Sequence, residues 1–129
     1  MVRVFSFYKM NNDKRVFIIE HDRIIGLELQ QQLEQNGYTV HRPLSLVDTE
    51  AIIVKDTPDL IIADSDIQQQ NSFERIKKYF SKHQLPVICI GTVTEEALKE
   101  CEGINIIGTF SKPFDSKDIL ALVDKHFLT

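Results

Sequence analysis

The sequence predicts an α/β domain: a doubly wound, five-stranded parallel sheet with helices on both faces. Three observations predict it. Short, β-prone apolar runs alternate with longer amphipathic segments five times along the chain. The run Leu60-Ile-Ile-Ala63 is unbroken and apolar, with Pro58-Asp59 before it and Asp64 after it, as suits a strand buried on both faces. The 129 residues, 43% hydrophobic and 26% charged, suit one core in one globular domain.

Residues 1–13 read as an N-terminal extension and 14–129 as the domain. Val2 to Tyr8 is apolar and β-prone, and Asn11-Asn12-Asp13 breaks it. It fits an edge strand, an inter-domain lead-in or added sequence equally. Arg15 to Ile19 is the first strand of the domain. Asp22 is a good N-cap for a helix to Asn36, with Ile25, Leu29 and Leu33 as its apolar stripe and Ile24 beside them. Gly37 suits the stop. Tyr38 to Arg42 reads as the second strand, and Leu46 to Asp56 as a helix with Leu46, Ile53 and Val54 inward.

The Leu60 run is the third strand. Ser72 caps a helix to Lys82, with Phe73, Ile76 and Phe80 inward. Val87 to Ile90 is the fourth strand, opened by Leu85-Pro86 and ending at Gly91-Thr92. Thr94 begins a short helix that Gly103 ends. The fifth strand lies between Ile104 and Phe110, and Ser111-Lys112-Pro113 follows it. Asp115 or Ser116 caps a last helix carrying Ile119, Leu122, Val123 and Phe127.

The net charge of −4 argues against direct nucleic-acid binding, which needs a basic surface. No apolar run approaches the ~20 residues of a membrane span, and the first ten residues are too short and interrupted for a signal peptide. The two cysteines, Cys89 and Cys101, show no metal-type spacing. A reduced, cytoplasmic chain is the simplest expectation.

In a parallel sheet all carboxyl ends open on one edge, where ligands bind. The chain places Glu20, His21 and Asp22 there after the first strand, and Asp64, Ser65 and Asp66 after the third. Gly91 and Thr92 follow the fourth, and Lys112 the fifth. Carboxylates on adjacent strands form an oxygen-rich pocket that calls for a cation, and Mg²⁺ suits it. A nearby lysine can pair with Asp64 or with an anion attached to it. This is the equipment of phosphoryl transfer to a carboxylate, with Asp64 as the nucleophile.

Val16-Phe-Ile-Ile-Glu-His-Asp22, Pro58-Asp-Leu-Ile-Ile-Ala-Asp64 and Ser111-Lys-Pro-Phe-Asp115, in this order and spacing, resemble the receiver domain of two-component response regulators. Asn36-Gly37-Tyr38 fits as well, and the resemblance runs from about Lys14 to Phe127. It implies a flavodoxin-like fold, with Asp64 as phosphoacceptor and Lys112 as the lysine beside it. Glu20 and His21 fall on the paired acids that hold Mg²⁺, together with Asp64. Gly91 falls on a Ser/Thr switch position, with Thr92 one residue late, and Thr109 falls on a switch position that is usually aromatic.

Several residues depart from that pattern. His21 replaces an acid, and two readings stay open: a solvated histidine, or an imidazole ligand that moves the preference toward Mn²⁺. Asp66 is either a loop residue or a replacement carboxylate for the lost acid. Gly91 has no hydroxyl, and Thr109 has no ring to rotate. The loop after Asp64 has Gln68 and Ser72 where the family has a proline and a glycine.

The leading expectation is a phosphoacceptor that takes a phosphoryl group onto Asp64 from a sensor histidine kinase or a histidine phosphotransfer protein. The alternative is a degenerate pseudo-receiver that acts as a phosphorylation-independent interaction module. A small enzyme using Asp64 as nucleophile ranks last, because the chain lacks a cap domain and a second general acid. The expected state is a monomer or a weak homodimer, paired through the fourth helix, fifth strand and last helix.

Overall fold

Apolar runs of four or five residues are too short for buried helices. Bounded by turn residues and rich in isoleucine and valine, they form strands. In the computed structural model, which describes residues 14–43, 45–65, 73–92 and 94–128, five strands make one parallel sheet. They are β1 (Arg15–Ile19), β2 (Thr39–His41), β3 (Leu60–Asp64), β4 (Pro86–Gly91) and β5 (Asn105–Ser111), in the order β2-β1-β3-β4-β5. The helices between and after them are α1 (Arg23–Gln35), α2 (Leu46–Lys55), α3 (Phe73–Lys82), α4 (Glu95–Glu100) and α5 (Ser116–Leu128). The doubly wound α/β architecture expected from the alternation is the one found.

Strand side chains alternate between the two faces of the sheet. Phe17, Ile19, Ile61, Ala63, Val87 and Cys89 pack on one face with Ile53 of α2 and Phe80 of α3. Val16, Ile18, Leu60, Ile62, Ile88 and Ile90 pack on the other with Leu29 and Leu33 of α1 and Ile119 and Val123 of α5. Every residue of β3 is buried, because this central strand is covered from both sides. The same alternation places Glu20 and Asp64, just beyond the last apolar residues of β1 and β3, in phase with the α1–α5 side.

Local chemistry fixes the helix ends. Asp22 Oδ1 accepts from the N–H groups of Ile24 and Ile25 at 3.0 and 3.2 Å. Gly37 follows α1 with φ +92°, the left-handed conformation of a C′ glycine. Thr94 Oγ1 accepts from Ala97 N at 3.1 Å and starts α4. For α5 the cap is Asp115, whose Oδ1 accepts from Lys117 N at 2.9 Å. Ser116 is buried instead, its Oγ 3.3 Å from Glu28 Oε1. The Tyr38 hydroxyl donates to Asp124 and ties the start of β2 to α5. The expected Ser72 cap lies outside the described residues, as do the side chains of Leu46, Phe73 and Ile76.

Two inward assignments are corrected. Ile24 is 80% exposed and Val54 66% exposed. Each residue of a helix turns about 100° from its neighbour, so adjacency to a buried residue does not confer burial. The buried line of α1 is Gly26, Leu29 and Leu33. That of α2 runs through Thr49 and Ile53, with Thr49 Oγ1 donating to Ser45 O at 2.8 Å.

Leu29→Ala is therefore expected to cost about 2–5 kcal/mol, whereas Ile24→Ala should stay within about 0.5 kcal/mol. Urea unfolding of the two variants checks this, and comparable losses would contradict the assigned face.

Candidate functional site

The parallel register sets the carboxyl ends of β1, β3 and β4 side by side, with Ile19 opposite Ala63 and Asp64 opposite Ile90. Asp64 closes β3 and is only 2% exposed. Glu20 follows β1 with its side chain fully buried. Lys112 follows β5, two strands from β3, and reaches across the end of β4. Its N–H donates to Gly91 O at 3.2 Å. Its Nζ donates to Asp64 Oδ2 at 2.9 Å and stands 3.0 Å from Glu20 Oε2. The peptide bond between Lys112 and Pro113 is cis.

Gly91 ends β4 against Ser65 and the Asp64 carboxylate. Its φ is +111°, and a Cβ there would lie 3.0 Å from Ser65 Oγ and 3.2 Å from Asp64 Oδ1. A side chain at this position would be strained in its backbone and crowded against the carboxylate. Glycine here is thus a packing requirement as well as the absence of a hydroxyl.

Burial drives the Glu20 carboxyl above its ordinary value. Its bond from Asp22 N at 3.0 Å opposes this, the Asp64 carboxylate adds to it, and Lys112 moderates it. Burial works against the Lys112 ammonium, but its bonds to Asp64 and Glu20 outweigh that and hold its pKa above the ordinary lysine value. The site is therefore two buried carboxylates held together by one shared ammonium.

Glu20 Oε1, His21 Nδ1 and an Asp64 oxygen lie within 4.8 Å of one another. His21 Nδ1 stands 3.5 Å from both Glu20 Oε1 and Asp64 Oδ2, while the rest of the ring is largely exposed. Two ligand atoms about 2.1 Å from one small divalent ion stand roughly 3.0–3.4 Å apart, so this spacing matches a shared cation. Glu20 Oε2 is buried and, apart from the ion pair with Lys112, takes no hydrogen bond among the described residues. The donor set fits a divalent cation, with the carboxylates favouring Mg²⁺ and the imidazole favouring a transition metal.

The structure brings together four of the residues singled out in the sequence: Glu20, His21, Asp64 and Lys112. Gly91 abuts them. Thr92 lies just past β4 and is exposed, and Thr109 is exposed on β5 opposite Cys89. Asp66 lies outside the described residues. Sequence reasoning placed Ser65 at this edge but gave it no role; its buried Oγ has no partner among the described residues and faces Gly91. Its position next to Asp64 was the one available signal.

This sheet order, with two carboxylates and a lysine at its carboxyl edge, defines a receiver-type, flavodoxin-like domain. The chain belongs to the response regulator receiver domain family, whose model matches residues 16–124. It is similar to a CheY-like receiver domain protein of Methanospirillum hungatei, with 21% identity, a TM-score of 0.76, and 88% of this chain and 92% of that one covered. The non-phosphorylated HemR receiver domain of Leptospira biflexa is 23% identical, with a TM-score of 0.72 over 88% and 93% of the two chains. The chemotaxis protein CheY4 of Vibrio cholerae is 21% identical, with a TM-score of 0.73 over 87% and 97%. At these identities the likeness to the solved structures establishes the fold.

Removing the shared ammonium leaves Glu20 and Asp64 facing each other. Lys112→Met is expected to lose about 3 kcal/mol at neutral pH. A carboxyl raised in the folded state stabilises that state while protonated, and the benefit is lost as pH climbs through the folded pKa. The Lys112→Met deficit should therefore be small near pH 4.5, the ordinary value for Glu20, and grow as pH rises above it. Adding Asp64→Asn should recover much of the loss. Urea unfolding in chelator across this range checks both, and a pH-independent deficit would contradict the pairing.

Proposed function

We propose that this receiver domain is a phosphoacceptor, with Asp64 taking the phosphoryl group from a phosphohistidine on a sensor histidine kinase or a histidine phosphotransfer protein. The observation that carries the reading is the Lys112 ammonium bonded at 2.9 Å to a carboxylate at the end of the central strand. The transfer breaks the donor's N–P bond and makes a P–O bond to Asp64. The imidazole keeps the electron pair and takes up a proton. Lys112 holds the carboxylate in place and is the nearest cation for the phosphoryl oxygens. Glu20 and Asp64, with His21, would hold the divalent cation, whose charge would offset that of the incoming group. Receiver domains generally act as signalling modules, and the reading assigns this chain no substrate turnover.

A second reading, a pseudo-receiver that binds its partner without phosphorylation, is favoured by two specific observations. Gly91 offers no hydroxyl to a phosphoryl oxygen and has no room for one. Thr109 has no ring to turn inward. The proposed protein keeps the acceptor chemistry while its coupling to a shape change is weak. Its proposed state is a monomer or a weak homodimer through α4, β5 and α5, where Glu95, Glu96, Lys99, Lys117 and Asp118 present both charge signs. Residues 1–13 are proposed as an extension to the domain.

With acetyl phosphate and Mg²⁺, the wild type is expected to acquire one base-labile phosphoryl group, and Asp64→Asn none. Intact mass measurement decides it. Equal labelling of the variant, or no labelling of wild type with any divalent ion, would overturn the acceptor reading and leave the pseudo-receiver.

His21→Asp restores one negative charge beside Glu20 and Asp64. Mg²⁺ should then bind roughly tenfold more tightly, from the added Coulomb attraction at a partly wet site. Calorimetric titration tests this, and an unchanged affinity would place the imidazole outside the metal's coordination.

A further inference from the structure

Cys89 and Cys101 carry no spacing signal in the sequence, yet the fold brings them together. Cys89 lies on β4, buried on the face covered by α2 and α3. Cys101 caps the C-terminal end of α4 and packs half-buried against the same cluster. Both line one small cavity whose wall also includes Asp64 and Ser65. The two side chains thus share one packed cluster and one cavity wall, and each thiol shifts the acidity of the other.

The two thiols are unequal. Cys101 is lowered to about 7, first by the neighbouring Cys89 thiol and then by Lys77 of α3, against burial and Glu100. Cys89 is pushed far up by the neighbouring Cys101 and by burial. One is a partly accessible nucleophile beside a cation. The other is a buried thiol held protonated in the same cavity wall, the arrangement of an attacking and a resolving cysteine.

We propose that Cys101 and Cys89 form a peroxide-reactive dithiol that closes to an intrachain disulfide beneath the Asp64 pocket. The Cys101 thiolate attacks one oxygen of a hydroperoxide. An S–O bond forms, the O–O bond breaks, and the departing oxygen leaves as water or an alcohol after taking a proton. Cys101 is oxidised to the sulfenic acid and the peroxide is reduced. Cys89 then attacks that sulfur. The S–S bond forms, the S–O bond breaks, and the hydroxyl leaves as water with the proton from Cys89. The disulfide ties the end of α4 to β4 at a residue that pairs with Ala63, the neighbour of Asp64. Oxidation thus acts one residue from the acceptor carboxylate, whether or not Asp64 is phosphorylated.

The test exposes the reduced full chain to a few equivalents of hydrogen peroxide at neutral pH and blocks remaining thiols with a maleimide. Intact mass and peptide mapping follow. The expected product is a monomer lighter by two hydrogens, without maleimide, giving one Cys89–Cys101 linked peptide. Cys89→Ser should leave a Cys101 sulfenic acid that dimedone traps, and in Cys101→Ser the Cys89 thiol should stay unreacted over the same exposure. The wild-type linkage decides the matter even where a variant folds poorly. Two maleimide-labelled thiols after peroxide, a Cys101 sulfinic acid without linkage, or disulfides only between chains would each overturn the proposal. The measurement uses neither phosphodonor nor metal, so its failure leaves the acceptor reading untouched.

Discussion

The shared ammonium of Lys112 is the constraint around which the carboxyl edge of the sheet is built. Glu20 and Asp64 enter from neighbouring strands and are both buried. Two carboxylates in that position repel each other, and burial penalises the charge of each. One cation 2.9 and 3.0 Å from the two makes the pair tolerable. It comes from β5, across the end of β4. There Gly91, with φ +111°, sets no side chain against Ser65 and Asp64.

The same glycine separates two properties that a receiver usually combines. Accepting a phosphoryl group needs a positioned carboxylate and positive charge, and both are present. Transmitting the event needs groups that move toward the phosphoryl oxygens. With Gly91 at the end of β4 and Thr109 exposed on β5, the described residues offer little to move. On the proposed reading, His21 would modify the chemistry in a different way, exchanging one acid for a borderline ligand beside two hard ones.

Much of the fold was legible because the apolar periods were clean. Leu60 to Ala63 could only be a strand buried on both sides, and Asp22, Gly37 and Thr94 mark helix ends by their own hydrogen bonding or backbone freedom. The inward faces were less legible. Ile24 and Val54 are apolar and adjacent to core residues, but the helix turns them to solvent, while Thr49 is buried with its hydroxyl satisfied locally. Sequence could nominate Glu20, Asp64 and Lys112, since strand ends on one edge must be neighbours. It set Ser65 at that edge without a role, and it had no means of pairing Cys89 with Cys101.

By itself the sequence determined the order and type of the elements and the polarity of the sheet, and with them which residues share the carboxyl edge. Those properties follow from local period and from the rule that parallel strands end together. Only the tertiary structure decided that Lys112 contacts Asp64 across 48 residues of chain. It alone decided that His21 stands 3.5 Å from both carboxylates, and that Gly91 excludes a side chain. Distances of this kind depend on strand order, twist and the packing of α4 and α5 against the sheet. These are sums over many contacts distant in sequence, and no short stretch of residues encodes them.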